Sequence, residues 1–428
     1  MVLGSIRTAT CASALGSLVV PALQAQDATP AAPVEAPLAS VESVVDPFLE
    51  RDVVGGVEVL FLRGTDEERA RALGAHRMPK VIELFESFAL AKELGLSPLA
   101  WGFAVLPKSR KVLAELTGQR ERYEHMLEGA VAVHGPSSLV VPQLNRPLTV
   151  DDLMAVTLLP DFMGLGCSSF AAWGEEVQGS GPVVGRNLDY FGSEVMLEQS
   201  GLVVHAPLGD RAGWVSIGWA GLDGCLTGVS DRGVSVAIHD VDDSRVDDRR
   251  VKVTPRITAL QELITRLRPG PNVLKQAERI LEQHRFGYGA NVMVAWRGGE
   301  GFEPGGAVFE VHAAGDAESV ADEVVARAPD PGDQWIVCTN HHRNVDEIAT
   351  CRRYHSVVTV LEPEAAPIDE EGASDLIGRP EVRSTLYQTV ADLERLHLTV
   401  RLRRPGGRWD EAAFSVAELI QRATDRLE

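Results

Sequence analysis

A cysteine that follows a small residue and begins an alternating apolar run is the best candidate for a catalytic nucleophile in this chain. Cys167 follows Gly166, and a Gly-containing turn leads to a second run that contains Arg186, Asn187 and Asp189. This pattern predicts a β-hairpin. If the chain is cut before Cys167, the thiol shares its residue with a free α-amine that can act as its general base.

The spacing assigns a role to each of these residues. We expect the Cys167 thiol to attack the Gly166 carbonyl, so that an N-to-S acyl shift and hydrolysis release a heavy chain of 428 − 166 = 262 residues. Asp189 is expected to accept a hydrogen bond from the α-amine, and Arg186 to lower the thiol pKa and orient the carboxylate. Asn340, at the end of a later strand, is expected to donate to the oxyanion. The alternatives are a buried core thiol, a surface ion pair and a turn asparagine.

The elements that position these residues follow from apolar periodicity and helix-capping signals. Thr65 with Glu68, and Thr149 with Asp152, predict capping boxes. Strands are predicted at 57–62, 168–174, 183–188, 202–207, 214–220, 225–229, 234–238, 291–296, 307–312, 335–340, 385–390 and 396–402, and helices at 65–94, 97–117, 120–133, 150–159, 255–268, 272–285, 353–361 and 414–427. This order predicts an α+β fold, a four-layer αββα sandwich of two antiparallel sheets flanked by helices, with a helical N-terminal pro-segment.

The chain before the hairpin divides into three parts by composition. Residues 1–25 carry one arginine and then a short run of small and apolar residues, which is typical of a signal peptide and too short for a membrane anchor. Residues 26–46 are rich in Ala, Pro and Val and predict a flexible leader. We therefore expect a periplasmic or secreted protein with a pro-segment (light chain) at 47–166 and a catalytic heavy chain at 167–428.

Composition excludes several classes of partner. The hydrophobic fraction of 45% and charged fraction of 24% are those of a globular protein, and the net charge of −20 disfavours nucleic acid. No later apolar run reaches the length of a membrane-spanning helix. His341, His342 and His355, with Asp346, match no common ligand spacing, so neither a metal nor a cofactor is expected.

The cysteines are too sparse for a disulfide scaffold. Cys167, Cys225, Cys338 and Cys351 remain after the predicted signal peptide. If Cys167 is the nucleophile, at most one bridge forms, and a Cys338–Cys351 bridge is conceivable.

Separated motifs of the chain resemble those of the N-terminal-nucleophile hydrolases, most closely the acyl-coenzyme A:6-aminopenicillanate acyltransferase family. Acid ceramidase and choloylglycine hydrolase are more distant relatives of the same type. The motifs are, in chain order, Leu62-Arg63-Gly64-Thr65, Ala72-Leu73-Gly74-Ala75-His76, Gly166-Cys167, Arg186-Asn187-Leu188-Asp189, the stretch 221–236 and Thr339-Asn340-His341. In the acyltransferase family an aromatic residue often follows the last motif, and His342 replaces it here.

The resemblance implies roles for matching positions. Arg186 and Asp189 match the Arg and Asp of acid ceramidase and choloylglycine hydrolase, and Asn187 belongs to the acyltransferase family's Arg-Asn-x-Asp pattern. Arg353 resembles a further arginine of the acid ceramidase group that borders the active site, although the adjacent Arg352 leaves the register open and a solvated helix face is the alternative.

The expected function is that of an exported, self-processing cysteine amidase or acyltransferase acting on a small N-acyl amide. Hydrolysis is favoured because coenzyme A thioesters are not expected outside the cytoplasm. An acyl pocket is expected from Leu165, Phe170, Trp173, Phe191 and Trp219. The alternatives are a ceramidase-, phospholipase B- or bile-salt-hydrolase-like lipid hydrolase, a non-catalytic binding protein that keeps the fold, or a structural secreted domain. The light and heavy chains are expected partners, and a homo-oligomer is left open.

Overall fold

The computed structural model describes most of the chain from residue 46 to residue 425. The described residues are 46–91, 95–162, 166–179, 181–190, 192–219, 224–241, 253–312, 323–343, 351–361 and 367–425. The predicted signal peptide, the leader apart from Asp46, and the pocket residues Leu165 and Phe191 lie outside this set. Pro47–Glu428 form one compact unit.

The segment that precedes Cys167 combines a strand hairpin with helices. β1 (Leu49–Val54) pairs with β2 (Val57–Leu62) through a two-residue turn in which both glycines have positive φ, +58° at Gly55 and +84° at Gly56. The other elements are α1 (Asp66–Phe85), a π-helical turn (Glu86–Ala91), α2 (Pro98–Ala100), a second π-helical turn (Trp101–Val105), α3 (Leu106–Val112), α4 (Thr117–His134), β3 (Val140–Val141), β4 (Arg146–Pro147), α5 (Val150–Thr157) and α6 (Leu159–Phe162). Both predicted capping boxes are confirmed.

Helices α1 and α4 approach so closely that only glycine fits at their crossing. A Cβ atom on Gly74 would lie 1.7 Å from the Met126 carbonyl oxygen, and one on Gly129 would lie 2.0 Å from the Arg71 carbonyl oxygen. Pro79 inside α1 lacks the N–H that would bond to the Ala75 carbonyl. His134 Nε2 on α4 lies 2.6 Å from that oxygen and replaces the missing donor.

Two large sheets form the rest of the framework. The nine-stranded sheet has the order β1-β2-β7-β8-β9-β10-β11-β12-β13, and the six-stranded sheet has the order β14-β5-β6-β15-β16-β17. The strands not yet defined are β5 (Gly166–Ala172), β6 (Val183–Asp189), β7 (Gly201–His205), β8 (Trp214–Gly218), β9 (Thr227–Ser230), β10 (Val234–Asp240), β11 (Ala290–Trp296), β12 (Gly305–His312), β13 (Glu323–Arg327), β14 (Trp335–Cys338), β15 (Thr385–Asp392), β16 (His397–Arg403) and β17 (Trp409–Ser415). The helices are α7 (Glu194–Gln199), α8 (Arg256–Arg266), α9 (Val273–Leu281), α10 (Arg352–Leu361), α11 (Glu370–Gly378) and α12 (Val416–Thr424).

The sheets face each other and carry helices on their outer faces. Ser169 Oγ on β5 lies 2.8 Å from His239 Nε2 on β10, which joins the two inner faces. Outside the larger sheet, Ile264 of α8 packs against Gly228, and a Cβ atom on Gly228 would lie 2.7 Å from Ile264 Cδ1. Outside the smaller sheet, Asn187 Nδ2 donates to the Ile377 carbonyl of α11 at 2.7 Å. The predicted four-layer αββα arrangement is therefore confirmed.

The structure corrects the sequence prediction in three respects. The pairing of β2 with β7 is parallel, so the larger sheet is not wholly antiparallel. This pairing also places the first hairpin in the same sheet as strands that follow Cys167, so the segment before Cys167 is not purely helical. Finally, Pro255 is the residue before α8 rather than its first residue, and the elements that were not predicted are β1, β3, β4, β13, β17, α6, α7 and α11.

Candidate active site

The predicted hairpin of Cys167 is the pair β5–β6 at the centre of the smaller sheet. Its register places Gly166 opposite Asp189, Cys167 opposite Leu188, and Ser169 opposite Arg186. Directly opposed residues share a face of a sheet, and successive residues alternate between faces. Cys167 and Arg186 therefore belong to the inner face, toward the larger sheet, whereas Asp189 belongs to the outer face, toward α10 and α11.

The backbone of Cys167 is held by two residues that follow it by more than 170 positions. In this uncut chain its N–H donates to Asn340 Oδ1 at 2.8 Å, and its carbonyl accepts from Arg353 Nη1 at 3.0 Å. Arg353 Nη2 donates to the same Asn340 Oδ1 at 2.7 Å, while Asn340 Nδ2 donates to the Asp240 carbonyl at 2.7 Å. The structure thus brings three predicted site residues into one hydrogen-bonded group.

Arg186 crosses the space between the sheets beside the thiol. Its Nε donates to Thr227 Oγ1 at 3.1 Å and its Nη2 to the Ile238 carbonyl at 2.7 Å, while Nη1 has no hydrogen-bond partner among the described residues. Burial alone lowers the pKa of Arg186, but the nearby ionisable groups of Cys167 and Tyr387 raise it overall, so the guanidinium stays charged. Of the two cations that lower the pKa of the Cys167 thiol, Arg186 has the larger effect and Arg353 the smaller.

The Cys167 thiol is protonated at neutral pH in the uncut chain. Burial raises the pKa of the thiol to about 11; Arg186 opposes this shift, and Asp240 and Asp189 add to it. The side chain is fully buried. A thiolate at this position therefore requires either a local base or an opening of the site after processing.

Asp189 has different partners from those expected. Its Oδ1 accepts from Thr385 Oγ1 at 2.5 Å and its Oδ2 accepts from Arg353 Nη1 at 3.0 Å. The Cys167 N–H is held by Asn340 instead, and Arg353, not Arg186, orients the carboxylate because Arg186 lies on the other face. Burial raises the pKa of Asp189, and Thr385 and Arg353 counteract this shift.

The predicted pocket residues are not all on the side of Cys167. Phe170 lies on the outer face, in the apolar layer with α10 and α11, which removes it from any pocket at the thiol. Trp173 follows the far end of β5, six residues from Cys167, or about 20 Å along an extended strand. Asn187 is fully buried on the outer face and bonds to α11, so its contacts are those of a packing residue.

Trp219 is the predicted pocket residue that lines an apolar cavity near the hairpin. Its ring stacks on Tyr190, which follows Asp189, at 6.2 Å between centroids. The cavity has a volume of about 40 Å³ and lies within a wider recess that opens to solvent. Its lining comes from α1, the π-helical turn after it, α5 and α6 together with these two aromatics, namely Val81, Leu84, Phe85, Phe88, Ala89, Leu153, Val156, Thr157, Leu159, Pro160, Tyr190 and Trp219. We name it the apolar cavity.

A buried ion cluster just before the candidate cleavage site was not predicted. Arg256, the first residue of α8, donates from Nε to Asp161 Oδ1 at 3.1 Å and from Nη2 to the Pro160 carbonyl at 2.7 Å, and it pairs with Asp240. Burial raises the pKa of Asp161 to about 7; Arg256 opposes the shift and Asp240 adds to it. The cluster fixes the chain five residues before Gly166. No local signal marks it, because the partners are 95 residues apart.

The remaining cysteines are thiols. Cys225, Cys338 and Cys351 are free, so no disulfide occurs among the described residues and the conceivable Cys338–Cys351 bridge is not formed. Cys338 Sγ lies 3.3 Å from His239 Nδ1. Burial raises the pKa of Cys351, but hydrogen bonds with His341, with the Tyr354 backbone and with Thr339 outweigh it and bring the value to about 7.

Among the described residues, no group of three His, Cys, Asp or Glu side chains is arranged to hold a metal ion. Among the helices that the structure describes, none combines the length and apolarity needed to cross a membrane.

Comparison with known proteins gives partial structural similarities. No family model and no curated protein match the sequence. A Caenorhabditis elegans N-acylethanolamine-hydrolyzing acid amidase ortholog matches with 18% identity and a TM-score of 0.38, over 53% of this chain and 93% of its own. Penicillin V acylase from Agrobacterium tumefaciens matches with 14% identity and a TM-score of 0.36, over 55% and 83%. A mutant conjugated bile acid hydrolase from Clostridium perfringens matches with 12% identity and a TM-score of 0.38, over 59% and 94%.

Proposed function

We propose that this chain is a self-processing cysteine amidase. The proposal rests on the hydrogen bonding of one atom, the Cys167 nitrogen, which becomes an α-amine if the chain is cut before it. That nitrogen donates to Asn340 Oδ1 at 2.8 Å, Arg353 orients the same oxygen, and the charged Arg186 lies beside the thiol. The future general base, the Asn340 oxygen that accepts its hydrogen bond and the Arg186 cation therefore lie together around the Cys167 sulfur.

Processing would follow from attack of Cys167 Sγ on the Gly166 carbonyl carbon. The C–N bond breaks, the thiol proton passes to the departing nitrogen, and a thioester joins Gly166 to the sulfur. Water then cleaves the thioester, leaving a carboxylate on Gly166 and restoring the thiol. The lack of a side chain at Gly166 matters, since a Cβ atom there would lie 3.2 Å from Asp189 Cβ and 3.5 Å from Arg353 Nη1.

Turnover would then use the new α-amine as the general base. It takes the thiol proton, the sulfur attacks the substrate carbonyl, and the departing amine receives the proton as the acyl-enzyme forms. Water resolves the thioester. Asn340 Oδ1 holds the amine and Arg186 stabilises the thiolate. For Asn340 Nδ2 to serve the oxyanion, it must exchange its present bond to the Asp240 carbonyl after processing.

The apolar cavity supports an N-acyl substrate with an aliphatic or aromatic acyl group. Tyr190 lies one residue beyond Asp189, and Pro160, whose carbonyl Arg256 holds, lies six residues before Gly166, so two cavity walls adjoin the hairpin. An apolar lining of this kind excludes a charged acyl group because nothing in it compensates a desolvated charge. This feature favours lipid-type amides among the alternatives.

Water is proposed as the acyl acceptor. This choice rests on the expected periplasmic or secreted location, where coenzyme A thioesters are not expected. The light chain would stay bound after cleavage, since its strand β2 pairs with β7 of the larger sheet.

The test is the intact mass and N-terminal sequence of the purified wild type beside Cys167→Ala. We expect two chains in the wild type, the heavier one beginning at Cys167, and one uncut chain in the variant. Cys225→Ala, which removes another fully buried thiol, is the matched control and should process normally. Initial rates on N-lauroyl and N-acetyl p-nitroanilides should favour the lauroyl amide in the processed protein and vanish in Cys167→Ala.

Other results would favour the alternatives. An uncut wild type whose Cys167 resists alkylation by iodoacetamide would contradict the mechanism and favour a binding protein with this fold. Processing without hydrolysis of either amide, but with hydrolysis of a carboxylic ester of laurate, would favour a lipid esterase.

A further inference from the structure

A second cavity lies under the N-terminal half of α1, away from the hairpin. It has a volume of about 50 Å³ and lies within a wider recess that opens to solvent. Its floor is the outer face of strands β2, β7 and β8, and its walls are α1 and α4. The apolar part of the lining comprises Leu60, Leu62, Leu73, Tyr123, Met126 and Val203. We name it the arginine cavity because Arg69, Arg77 and Arg122 also line it.

Arg69 of α1 is the central cation of this cavity and is only 9% exposed. Its Nη2 donates to the Ala206 carbonyl at 2.6 Å, but its Nε has no hydrogen-bond partner among the described residues. Arg77 lies about two turns further along α1. Its Nε also has no acceptor in the described part of the chain, while its two Nη atoms donate to Glu58. Two buried N–H donors of the lining therefore lack an acceptor.

Carboxylates lie near these cations, but none among the described residues accepts a hydrogen bond from the Nε atom of Arg69 or of Arg77. Glu58 is shared by Arg77, Arg51 and Lys80, all within 3.6 Å. Asp66 and Glu68 contribute negative charge near Arg69, and Arg122, which has partners of its own, is a further cation of the lining. Burial lowers the pKa of Arg69, with Asp66 opposing the shift, which is the mark of a desolvated cation. Such a group favours a bound anion that accepts its hydrogen bonds.

We propose that the arginine cavity binds a monocarboxylate with an apolar chain, of the fatty-acid type. The carboxylate would accept from Arg69, and the chain would lie against the leucine-rich wall. A small inorganic anion would leave that wall uncovered, and an uncharged chain would leave the buried donors without acceptors. In a chain of net charge −20, this positive and partly apolar cavity is a selective place for such an anion.

This site goes beyond the proposed amidase function. The lining of the arginine cavity contains none of Cys167, Arg186, Asn340 and Arg353, and it shares only Trp219 with the apolar cavity. Because its walls come from both sides of the Gly166–Cys167 bond, a bound carboxylate would also strengthen the contact between the two parts.

Isothermal titration calorimetry on the full-length protein tests the site, with laurate kept below its micelle concentration. We expect saturable laurate binding, and at least tenfold weaker binding of acetate, which lacks the chain, and of dodecanol, which lacks the charge. Arg69→Gln should weaken laurate binding at least tenfold. Arg71→Gln, which removes an exposed arginine on the same helix, should change it less than twofold.

Two further variants separate this site from the candidate active site and from misfolding. Cys167→Ala should bind laurate as the wild type does, whatever the outcome for amidase activity. Leu73→Trp keeps Arg69 but fills the cavity and should weaken binding at least tenfold, which provides an answer if Arg69→Gln does not fold. No laurate binding by the wild type, equal binding of dodecanol, or unchanged binding in Leu73→Trp would each overturn the proposal.

Discussion

The α1–α4 pair and the site at β5–β6 are stabilised by contacts between residues at very different separations along the chain. In the helical pair, the start of α1 depends on two residues three positions apart, Thr65 and Glu68, and the helices then meet at Gly74 and Gly129. At the site, the hydrogen bonds from Cys167 to Asn340, from Arg353 to Asp189 and from Thr385 to Asp189 join residues 173, 164 and 196 positions apart.

The difference predicts how each region responds to change. The helical pair rests on backbone shape and apolar contact, so substitutions there should alter the free energy of unfolding with little effect on chemistry in the folded protein. The site rests on buried charges and hydrogen bonds that converge only after both sheets have formed. Substitutions there should alter processing and thiol reactivity more than they alter stability.

The largest effect is expected for Arg186→Met. Loss of the cation that most lowers the pKa of the Cys167 thiol removes the main electrostatic stabilisation of a thiolate, so self-cleavage should slow by roughly 100- to 1,000-fold. Processing is followed by the mass of the chains over time, and the pH dependence of iodoacetamide labelling should shift to higher pH. Arg186→Lys, which keeps the charge, should recover part of the rate. Processing of Arg186→Met at the wild-type rate would remove Arg186 from the mechanism.

The next effect belongs to the helical pair. Gly129→Ala places a methyl group where only 2.0 Å separates it from the Arg71 carbonyl oxygen, and it should lower the free energy of unfolding by about 3 kcal/mol. Gly118→Ala, in the first turn of the same helix with open space around it, is the matched control. It should be neutral or stabilising by up to about 1 kcal/mol. Equal urea midpoints for the two variants would contradict the close crossing.

The ion cluster at Asp161 lies between the two regions and should couple stability to pH. The folded pKa of Asp161, about 7, is above its ordinary value of 3.8, so its neutral form favours the folded state. Its contribution to stability is present below pH 3.8 and is lost as the pH rises through 7. Asp161→Asn, which mimics the neutral form, should therefore gain stability relative to the wild type on going from pH 4 to pH 8, by on the order of 2 kcal/mol.

Urea unfolding at the two pH values measures this change, with Cys167→Ala as the background to keep the chain uncut. Asp210→Asn, an exposed carboxylate, is the control and should show no comparable pH-dependent difference. A relative loss of stability of Asp161→Asn at pH 8 would mean that the ion pair with Arg256, rather than burial, dominates the cluster.

The same difference in length scale explains what the sequence could predict. The capping boxes, most strands of the two sheets and the hairpin of Cys167 follow from patterns a few residues long. Gly55-Gly56 between two β-rich runs was also a hairpin signal, although strand β1 was not predicted. Strand alternation places Arg186 and Asp189, three residues apart, on opposite faces of β6. The partners of Asp189 could not be predicted, because Arg353 and Thr385 reach it only when α10 and β15 pack beside β6. The Asp161–Arg256–Asp240 cluster and the two cavities likewise arise only from tertiary packing.

The smallest effect is expected at the capping box that begins α1, where the contacts are local in the chain. Thr65→Ala removes the hydroxyl that accepts from the Glu68 N–H at 3.3 Å and that donates to the Glu68 carboxylate at 2.9 Å. The start of α1 then lacks a side-chain acceptor, and the free energy of unfolding should fall by about 1 kcal/mol. Thr359→Ala, on exposed surface within α10, should change it by less than about 0.5 kcal/mol, since its hydroxyl only bonds back to the His355 carbonyl. The capping box lies far from Cys167 in the chain and stabilises only α1, so folded Thr65→Ala should be processed at the wild-type rate. A slower cleavage rate in this variant would show that the two regions are coupled.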